Sequence, residues 1–590
     1  MMVESSFSWA KALLTLFVAI PLAESVPSPS AQRRTNSSEP ACRYLPGDPG
    51  WPSAGDWAAL NATVGGRLIR GASIGEPCYG DSPDVGACAE VQKVWQQLPP
   101  FLEDPVNVIS AYFEGTTCSP FYGPLSTDLA TRNFTCTLGR LASYAINVSD
   151  AATAVAGVNF ARENNIRLVI KNTGHDILGR STGQGSLALW SHYLKGSGFF
   201  QYTSEDYTGP AARIGAGVQV HELYEAAAAH GFRVTGGACP TVGAAGGWIQ
   251  SGGHGPLSAL YGLGSDQTLE FEVVTADGRH LNASRSENAD LFWALSGGGP
   301  GNFAMVLSVT LKAHPDGPVA GATLNFVESD PEKYFAAIEA WQRHLLVLDT
   351  IPGFQTSVTL TSGIFSLNYL TLPDACEEDI TSALTHFLQE LASLNITATM
   401  NTTVHHNFLD HYQYYEKGTV YSRNITVGNR IIPRDLVTDD ERLSQLTEVY
   451  KDILAHPNTI AFIIASNVTH ARVGNAPGDN PVIQAWRDSL FILNFGVVSD
   501  ERASSAELSA DLALANKWQI DLRDITPGGG NYMNEATYNY PYWKEDYYGE
   551  YYDQLAQIKT KYDSGHVLWA QPAAGNEAYE LKDDGHLCKT

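Results

Sequence analysis

The stretch Gly236-Gly237-Ala238-Cys239-Pro240-Thr241-Val242-Gly243, continued by Gly246-Gly247 and Gly252-Gly253, constrains this chain more than any other. Glycine at this density lets backbone come close to something large and leaves N–H groups free to meet phosphate or ring oxygens. The run lacks the strand–Gly-x-Gly-x-x-Gly–helix context of a dinucleotide fold, and it lacks the Gly-Lys-Ser/Thr of a P-loop. It follows a helix expected over residues 220–230 and stopped by Gly231. A second loop, Asn172-Thr173-Gly174-His175-Asp176, leaves a buried strand expected over 167–170. That strand follows a helix capped by Ser149 or Asp150, with its apolar face at Ala151, Ala154, Val155, Val158 and Ala161.

Residues 269–275 then alternate as a strand, turn at Asp277-Gly278 and return over 279–283 as a hairpin. An apolar segment, the Gly297-Gly298-Gly299 turn and another strand follow over 291–311. Beyond about residue 318 the texture shifts to long helical stretches (332–348 and 375–391) mixed with strands such as 355–361 and 459–466. This part reads as a second, α+β domain. Residues 531–569 are dense in tyrosine and are expected to fold back onto the first domain, with most hydroxyls reaching solvent.

The chain of 590 residues, 44% hydrophobic and 17% charged, is long enough for two or three packed domains. A formal net charge of -26 repels polyphosphate, and no dense Lys/Arg cluster reverses it locally, so nucleic acid is not an expected partner. An apolar run over 12–22, ahead of Ala23-Glu24-Ser25, reads as a signal peptide and is too short to span a membrane. No later segment offers about 18 uninterrupted apolar residues, so no membrane partner is expected. Nine Asn-x-Ser/Thr sequons (Asn36, Asn61, Asn133, Asn147, Asn282, Asn395, Asn401, Asn424 and Asn467) agree with secretion. Eight cysteines, five of them before residue 137, point to disulfides in an oxidising compartment. Cys78 with Cys88 and Cys118 with Cys136 are plausible short-loop pairs, although connectivity does not follow from sequence.

The two glycine loops together carry a resemblance. Residues 170–181 (I-K-N-T-G-H-D-I-L-G-R-S), 237–261 (G-A-C-P-T-V-G through S-G-G-H-G-P-L-S-A-L-Y) and 274–278 resemble the FAD-binding domain of the berberine-bridge-enzyme-like oxidases, in the vanillyl-alcohol-oxidase superfamily. Residues 531–535 (N-Y-M-N-E) and 547–563 resemble that family's closing segment. The resemblance implies an α+β protein with a PCMH-type FAD-binding domain (137–318) and a substrate domain (319–529) whose antiparallel sheet covers the flavin. A signal peptide (1–25) and a Cys-rich segment (26–136) precede these, and residues 530–590 return to the FAD domain.

The resemblance further implies FAD bound bicovalently, from His175 to the flavin 8α carbon and from Cys239 to C6. Two bonds fix the ring's orientation and raise its reduction potential. If Cys239 is used this way, seven cysteines remain, so at least one must stay unpaired or pair with another chain; Cys376, isolated in the second domain, is the candidate. Lys171, Asn172, Thr173, Gly174, Gly179, Arg180 and Ser181 would line the pyrophosphate. Thr241, Gly243, Gly246, Gly247, Ser251 and Gly253 would border the ring and ribityl chain, with Val274 near the adenine. Val242, three residues after the cysteine, is the smaller type that in the family admits oxygen. Glu535 or Tyr532 would act as base toward the substrate, with Asn534 as a positioning donor.

The partners expected are a small-molecule substrate and molecular oxygen, acting on a secreted monomer. A small alcohol or specialised metabolite is the first substrate class, a carbohydrate the second. A secreted flavin-fold glycoprotein without turnover is the alternative of another kind. Asp176 either orients the His175 imidazole or caps the following turn. His405, His406 and His411 lack a third ligand at suitable spacing, and no metal is expected.

Overall fold

The computed structural model describes residues 41–126, 135–417 and 423–590. The expected signal peptide, Asn36 and Asn133 lie outside them. The protein is α+β and is built on three main sheets. In the first, Leu68–Arg70 pairs antiparallel with Tyr144–Asn147, while Leu187–Trp190 lies parallel between Tyr144–Asn147 and Leu168–Lys171. The helix Ala151–Glu163, capped by Asp150 accepting from the Thr153 N–H, packs Ala154, Val158 and Ala161 onto this sheet. Trp57 and Leu60, from the Cys-rich segment, enter the same core, so part of that segment is built into the sheet layer.

A second sheet of five antiparallel strands runs Ser197–Thr203, Thr208–Gly215, Ala304–Lys312, Thr268–Thr275, His280–Ser284. The hairpin expected at Asp277-Gly278 joins its last two strands, with Gly278 at φ 84°.

The third sheet has seven antiparallel strands in the order Thr399–His405, Val319–Val327, Ile364–Pro373, Gln355–Thr361, Thr459–Ser466, Ser489–Val498, Ile425–Pro433. Successive side chains of a strand point to opposite faces. Val358, Leu360, Ala461 and Ile463 therefore pack under the helices Pro331–Leu348, Glu377–Ser393, Asp440–Ala455 and Ser505–Ile525, around the fully buried Trp341. Their neighbours Ser357, Thr359, Ile460 and Phe462 face the other way, onto a cavity.

The segment ahead of Thr268–Thr275 in the second sheet is tied to the one ahead of Ser489–Val498 in the third. Arg487 holds Asp266 through two 2.9 Å hydrogen bonds, and Asn475 and Asn480 donate to the same carboxylate at 2.7 and 2.8 Å. Five of the nine tyrosines over 531–569 are buried, whereas Tyr542 is exposed. Tyr540, Tyr547 and Tyr548 are buried, and their hydroxyls go to Asp546 (2.6 Å), the Thr537 carbonyl (2.8 Å) and the Pro572 carbonyl (3.3 Å) instead of solvent.

Disulfides join Cys78 to Cys88, Cys118 to Cys136 and Cys42 to Cys588, leaving Cys239 buried and Cys376 exposed as free thiols. Among the described residues no helix is long and apolar enough to cross a membrane. No group of three or more His, Cys, Asp or Glu is placed to hold a metal among them either, and His411 instead shares a 2.8 Å hydrogen bond with Thr371.

Glu416 is fully buried beside the Tyr369 hydroxyl, and burial holds its carboxyl well above the ordinary 4.5. The folded chain keeps this group neutral while the unfolded chain ionises it near 4.5. Its contribution to stability is thus complete below that pH and is lost as the pH rises above it. Glu416→Gln is expected to stabilise the protein at pH 7 by on the order of 2 kcal/mol. The gap in melting temperature between variant and parent should widen from pH 5 to pH 7, and a gap that stays constant would contradict a neutral Glu416.

Candidate active site

A cavity of about 820 Å³ lies between the glycine loops and the open face of the seven-stranded sheet. The first loop leaves the carboxyl end of Leu168–Lys171, the edge where open α/β sheets bind ligands. Asn172, Thr173, Gly174, His175, Arg180 and Ser181 all line the cavity. Gly174 sits at φ 82°, and a Cβ there would lie 2.6 Å from the Lys171 side chain. Asp176 does not meet the imidazole. Its carboxylate accepts from the Arg180 N–H and from Arg180 Nε, both at 2.6 Å, which closes the turn and aims the guanidinium.

The second loop brings Cys239, Val242, Gly243, Gly246 and Gly247 to the same cavity. His175 Nε2 lies 2.8 Å from the Thr241 hydroxyl, and Cys239 Sγ lies 3.8 Å from that same hydroxyl. Two side chains 64 positions apart in sequence thus meet at one oxygen. Burial pushes the His175 imidazole down to about 4 and pushes the Cys239 thiol up, the latter partly offset by hydrogen bonds from Thr241. A Cβ at Gly246 would lie 2.5 Å from Asn172 Nδ2, so glycine here makes room for a side chain of the first loop.

The C-terminal segment closes the other pole. Asn429 clamps the Tyr532 backbone from both sides, accepting from its N–H at 2.8 Å and donating to its carbonyl at 2.9 Å. Asn534 accepts from Arg180 and from Ser251, each at 2.8 Å, and donates to the Tyr532 hydroxyl at 2.9 Å and the Gly247 carbonyl at 3.2 Å. Burial raises the Tyr532 phenol far above its ordinary value, helped by the Glu535 charge. Glu535 accepts from Asn494 Nδ2 at 2.8 Å and has His254 Nε2 3.5 Å away. The His254 ring meets Tyr532 edge-on at 5.0 Å.

Six expected residues do not line the cavity. Lys171 is fully buried, and its ammonium donates to the carbonyls of Phe101 (2.9 Å), Asn107 (2.5 Å) and Asp104, tying the N-terminal segment beneath the loop. Thr241 and Ser251 act from behind, through His175 and Asn534. Gly179 and Gly253 are turn positions at φ 79° and 73°. Val274 is packed among Ile146, Val158 and Leu189 inside its strand. Sequence reasoning gave no role to His254 and Asn494. His254 stood inside the quoted S-G-G-H-G motif, which was a usable signal, whereas nothing local to Asn494 marks it.

A cavity walled by two glycine loops, with a His and a Cys side by side on them and an acid and a phenol opposite, has room for a large planar redox cofactor. The comparisons with known proteins agree. Residues 142–284 match the family model for an FAD binding domain, and residues 531–573 match the berberine and berberine-like model. The VAO-type flavoprotein oxidase VAO615 of Thermothelomyces thermophilus is 40% identical over 568 residues, 94% of this chain and 96% of the relative. The FAD-linked oxidoreductase patO of Penicillium expansum is 38% identical over 93% of this chain and 94% of its own. The crystal structure of VAO615 from Myceliophthora thermophila superposes with a TM-score of 0.87 at 38% identity, covering 93% of this chain and all of that one. The glucooligosaccharide oxidase of Acremonium strictum shares the fold alone, at a TM-score of 0.61 and 19% identity over 73% of this chain and 91% of that one. This chain belongs to the VAO-type, berberine-like FAD-linked oxidoreductases.

The residues present fit FAD. Asn172 Oδ1 and Gln250 Oε1 are buried on the cavity wall without hydrogen-bond partners, as acceptors reserved for a ligand are. The cavity has a volume in the range of cofactor sites.

Proposed function

We propose that this chain is a secreted oxidase that holds FAD through both His175 and Cys239 and oxidises a small alcohol or specialised metabolite at the expense of oxygen. The observation that carries the reading is the Thr241 hydroxyl shared by His175 and Cys239. Thr241 occupies Nε2, so Nδ1 is the nitrogen left for the flavin bond, and burial keeps the imidazole neutral and nucleophilic at neutral pH. The glucooligosaccharide oxidase of Acremonium strictum has a 6-S-cysteinyl, 8α-N1-histidyl FAD, the same two residue types. Three disulfides support an extracellular home.

FAD held by His175 and Cys239 would supply a two-electron acceptor for the substrate C–H bond and a donor to oxygen, with peroxide as the product. The chain's own groups handle the proton. Glu535, oriented by Asn494 and His254, receives it from the substrate hydroxyl. Tyr532 remains a phenol, and because its oxygen already accepts from Asn534, its own proton is free to donate toward the cavity. Val242, half-buried on the wall, leaves space for oxygen. Val242→Ile is expected to slow reoxidation by oxygen several-fold while flavin reduction stays unchanged, measured by stopped flow; equal reoxidation rates would remove this role.

A second reading, a carbohydrate oxidase, is favoured by the polar wall of Ser357, Thr359 and Asn368, where Asn368 donates to both hydroxyls at 3.3 and 2.8 Å, and by Tyr414 at the mouth. An oxygen-consumption screen across sugars, aliphatic alcohols and aromatic alcohols separates the two. Silence on every sugar would eliminate the second reading.

A further inference from the structure

One cation on the cavity wall takes no part in the chemistry above. Arg423 lines the cavity at 3% exposure. Its guanidinium carbon lies 4.4 Å from the Trp95 ring centroid and 4.0 Å from that of Phe101, contacts that fix its plane. Nη1 reaches Asn424 Oδ1 at 3.4 Å, whereas Nε and Nη2 are buried and have no hydrogen-bond partner among the described residues. These two nitrogens share one edge of the guanidinium, the edge whose parallel N–H bonds match the two oxygens of a carboxylate.

The protein does not satisfy that edge from within. Arg180, the other guanidinium on the wall, is already paired with Asp176 and Asn534. The acid whose field reaches Arg423 is Glu114, which is tied to the Val108 N–H at 2.8 Å and pushed up to about 7 by burial. Burial pulls Arg423 down only to about 10, so it keeps its charge at neutral pH. A buried charge with unmade hydrogen bonds is costly unless a ligand completes them.

Its place in the fold says which part of a ligand it meets. Arg423 lies two residues before the strand Ile425–Pro433, whose Ile425 and Val427 line the cavity and whose Asn429 clamps Tyr532. At about 3.3 Å per residue, about 13 Å of strand separates Ile425 from Asn429. Phe462 and Ile460 extend this apolar floor.

We propose that the substrate carries a carboxylate, received by Nε and Nη2 of Arg423, with an apolar body against Ile425, Val427 and Phe462 and its oxidisable carbon at the Glu535 pole. The identity of the reacting end rests on the oxidase reading; the anion site does not.

The test uses the flavin-loaded protein, titrated with benzoate and with benzamide and read by flavin absorbance without turnover. Benzoate is expected to bind about 10- to 100-fold more tightly than benzamide. Arg423→Met should abolish that preference with flavin content unchanged, and Arg423→Lys, which keeps the charge but loses the fork, should restore only part of it. Equal binding of the two probes to the parent protein overturns the proposal, and so does a fall in flavin content in Arg423→Met, which would assign the arginine to the cofactor. In turnover, 4′-(hydroxymethyl)biphenyl-4-carboxylate, long enough to reach both ends, should lose about 10- to 100-fold in kcat/KM in Arg423→Met, mainly through KM, with biphenyl-4-methanol unaffected. A benzoate preference without oxidation of any alcohol sinks the oxidase reading and keeps the site. Oxidation of both alcohols without a benzoate preference does the reverse.

Discussion

Replacing His175 and Cys239 together by alanine is expected to leave no flavin on the acid-precipitated protein, whereas either single replacement keeps the precipitate yellow. The expectation rests on the two side chains approaching one Thr241 hydroxyl from two loops, at 2.8 and 3.8 Å, so that each reaches the same cofactor edge independently. The single variants should retain flavin and lose about 10- to 100-fold in kcat, because one tether no longer fixes orientation fully. The two attachments should also respond differently to pH during loading. The imidazole, held near 4, is already neutral at pH 6, but the buried thiol, raised above 9.0, reacts as thiolate and should attach faster as pH rises. Flavin released on acid precipitation, measured by absorbance of the supernatant, checks all three variants. Complete release from one of the single variants would mean that only the other residue is bonded to flavin in the native protein.

Glu535→Gln is expected to lower kcat by about 10²- to 10⁴-fold, the range for removing a positioned general base. The replacement keeps the Asn494 contact sterically and removes the charge that receives the proton. Tyr532→Phe should cost less, since burial holds that phenol protonated and restricts it to donating a hydrogen bond. Steady-state kinetics of the two variants separate the roles: a loss above 100-fold in Tyr532→Phe, with Glu535→Gln near the parent rate, would transfer the role to the tyrosine.

Much of the fold was legible because its signals are local. The expected strands at 355–361 and 459–466 coincide with Gln355–Thr361 and Thr459–Ser466, since alternation marks a sheet with two distinct faces. The Ala151–Glu163 helix follows from its cap and its apolar spacing. Cys376 remains free, as its isolation in the sequence suggested, but nothing local pairs Cys42 with Cys588 across 546 positions. Lys171 belonged to the right motif with the wrong task. Its side chain is on the buried face of the loop, and only packing of residues 101–107 reveals that.

By itself, then, the sequence determined the cofactor pole. Backbone conformation there is dictated residue by residue, by glycines at positive φ and by His175 and Cys239 set at fixed places within two loops. The substrate pole was decided by tertiary structure alone. Glu535, Asn494 and His254 come from separate segments and meet only because the strand order sets Ser489–Val498 beside Ile425–Pro433 and the C-terminal segment returns against both. Each of these contacts spans tens to hundreds of residues, a distance over which neither periodicity nor spacing carries information.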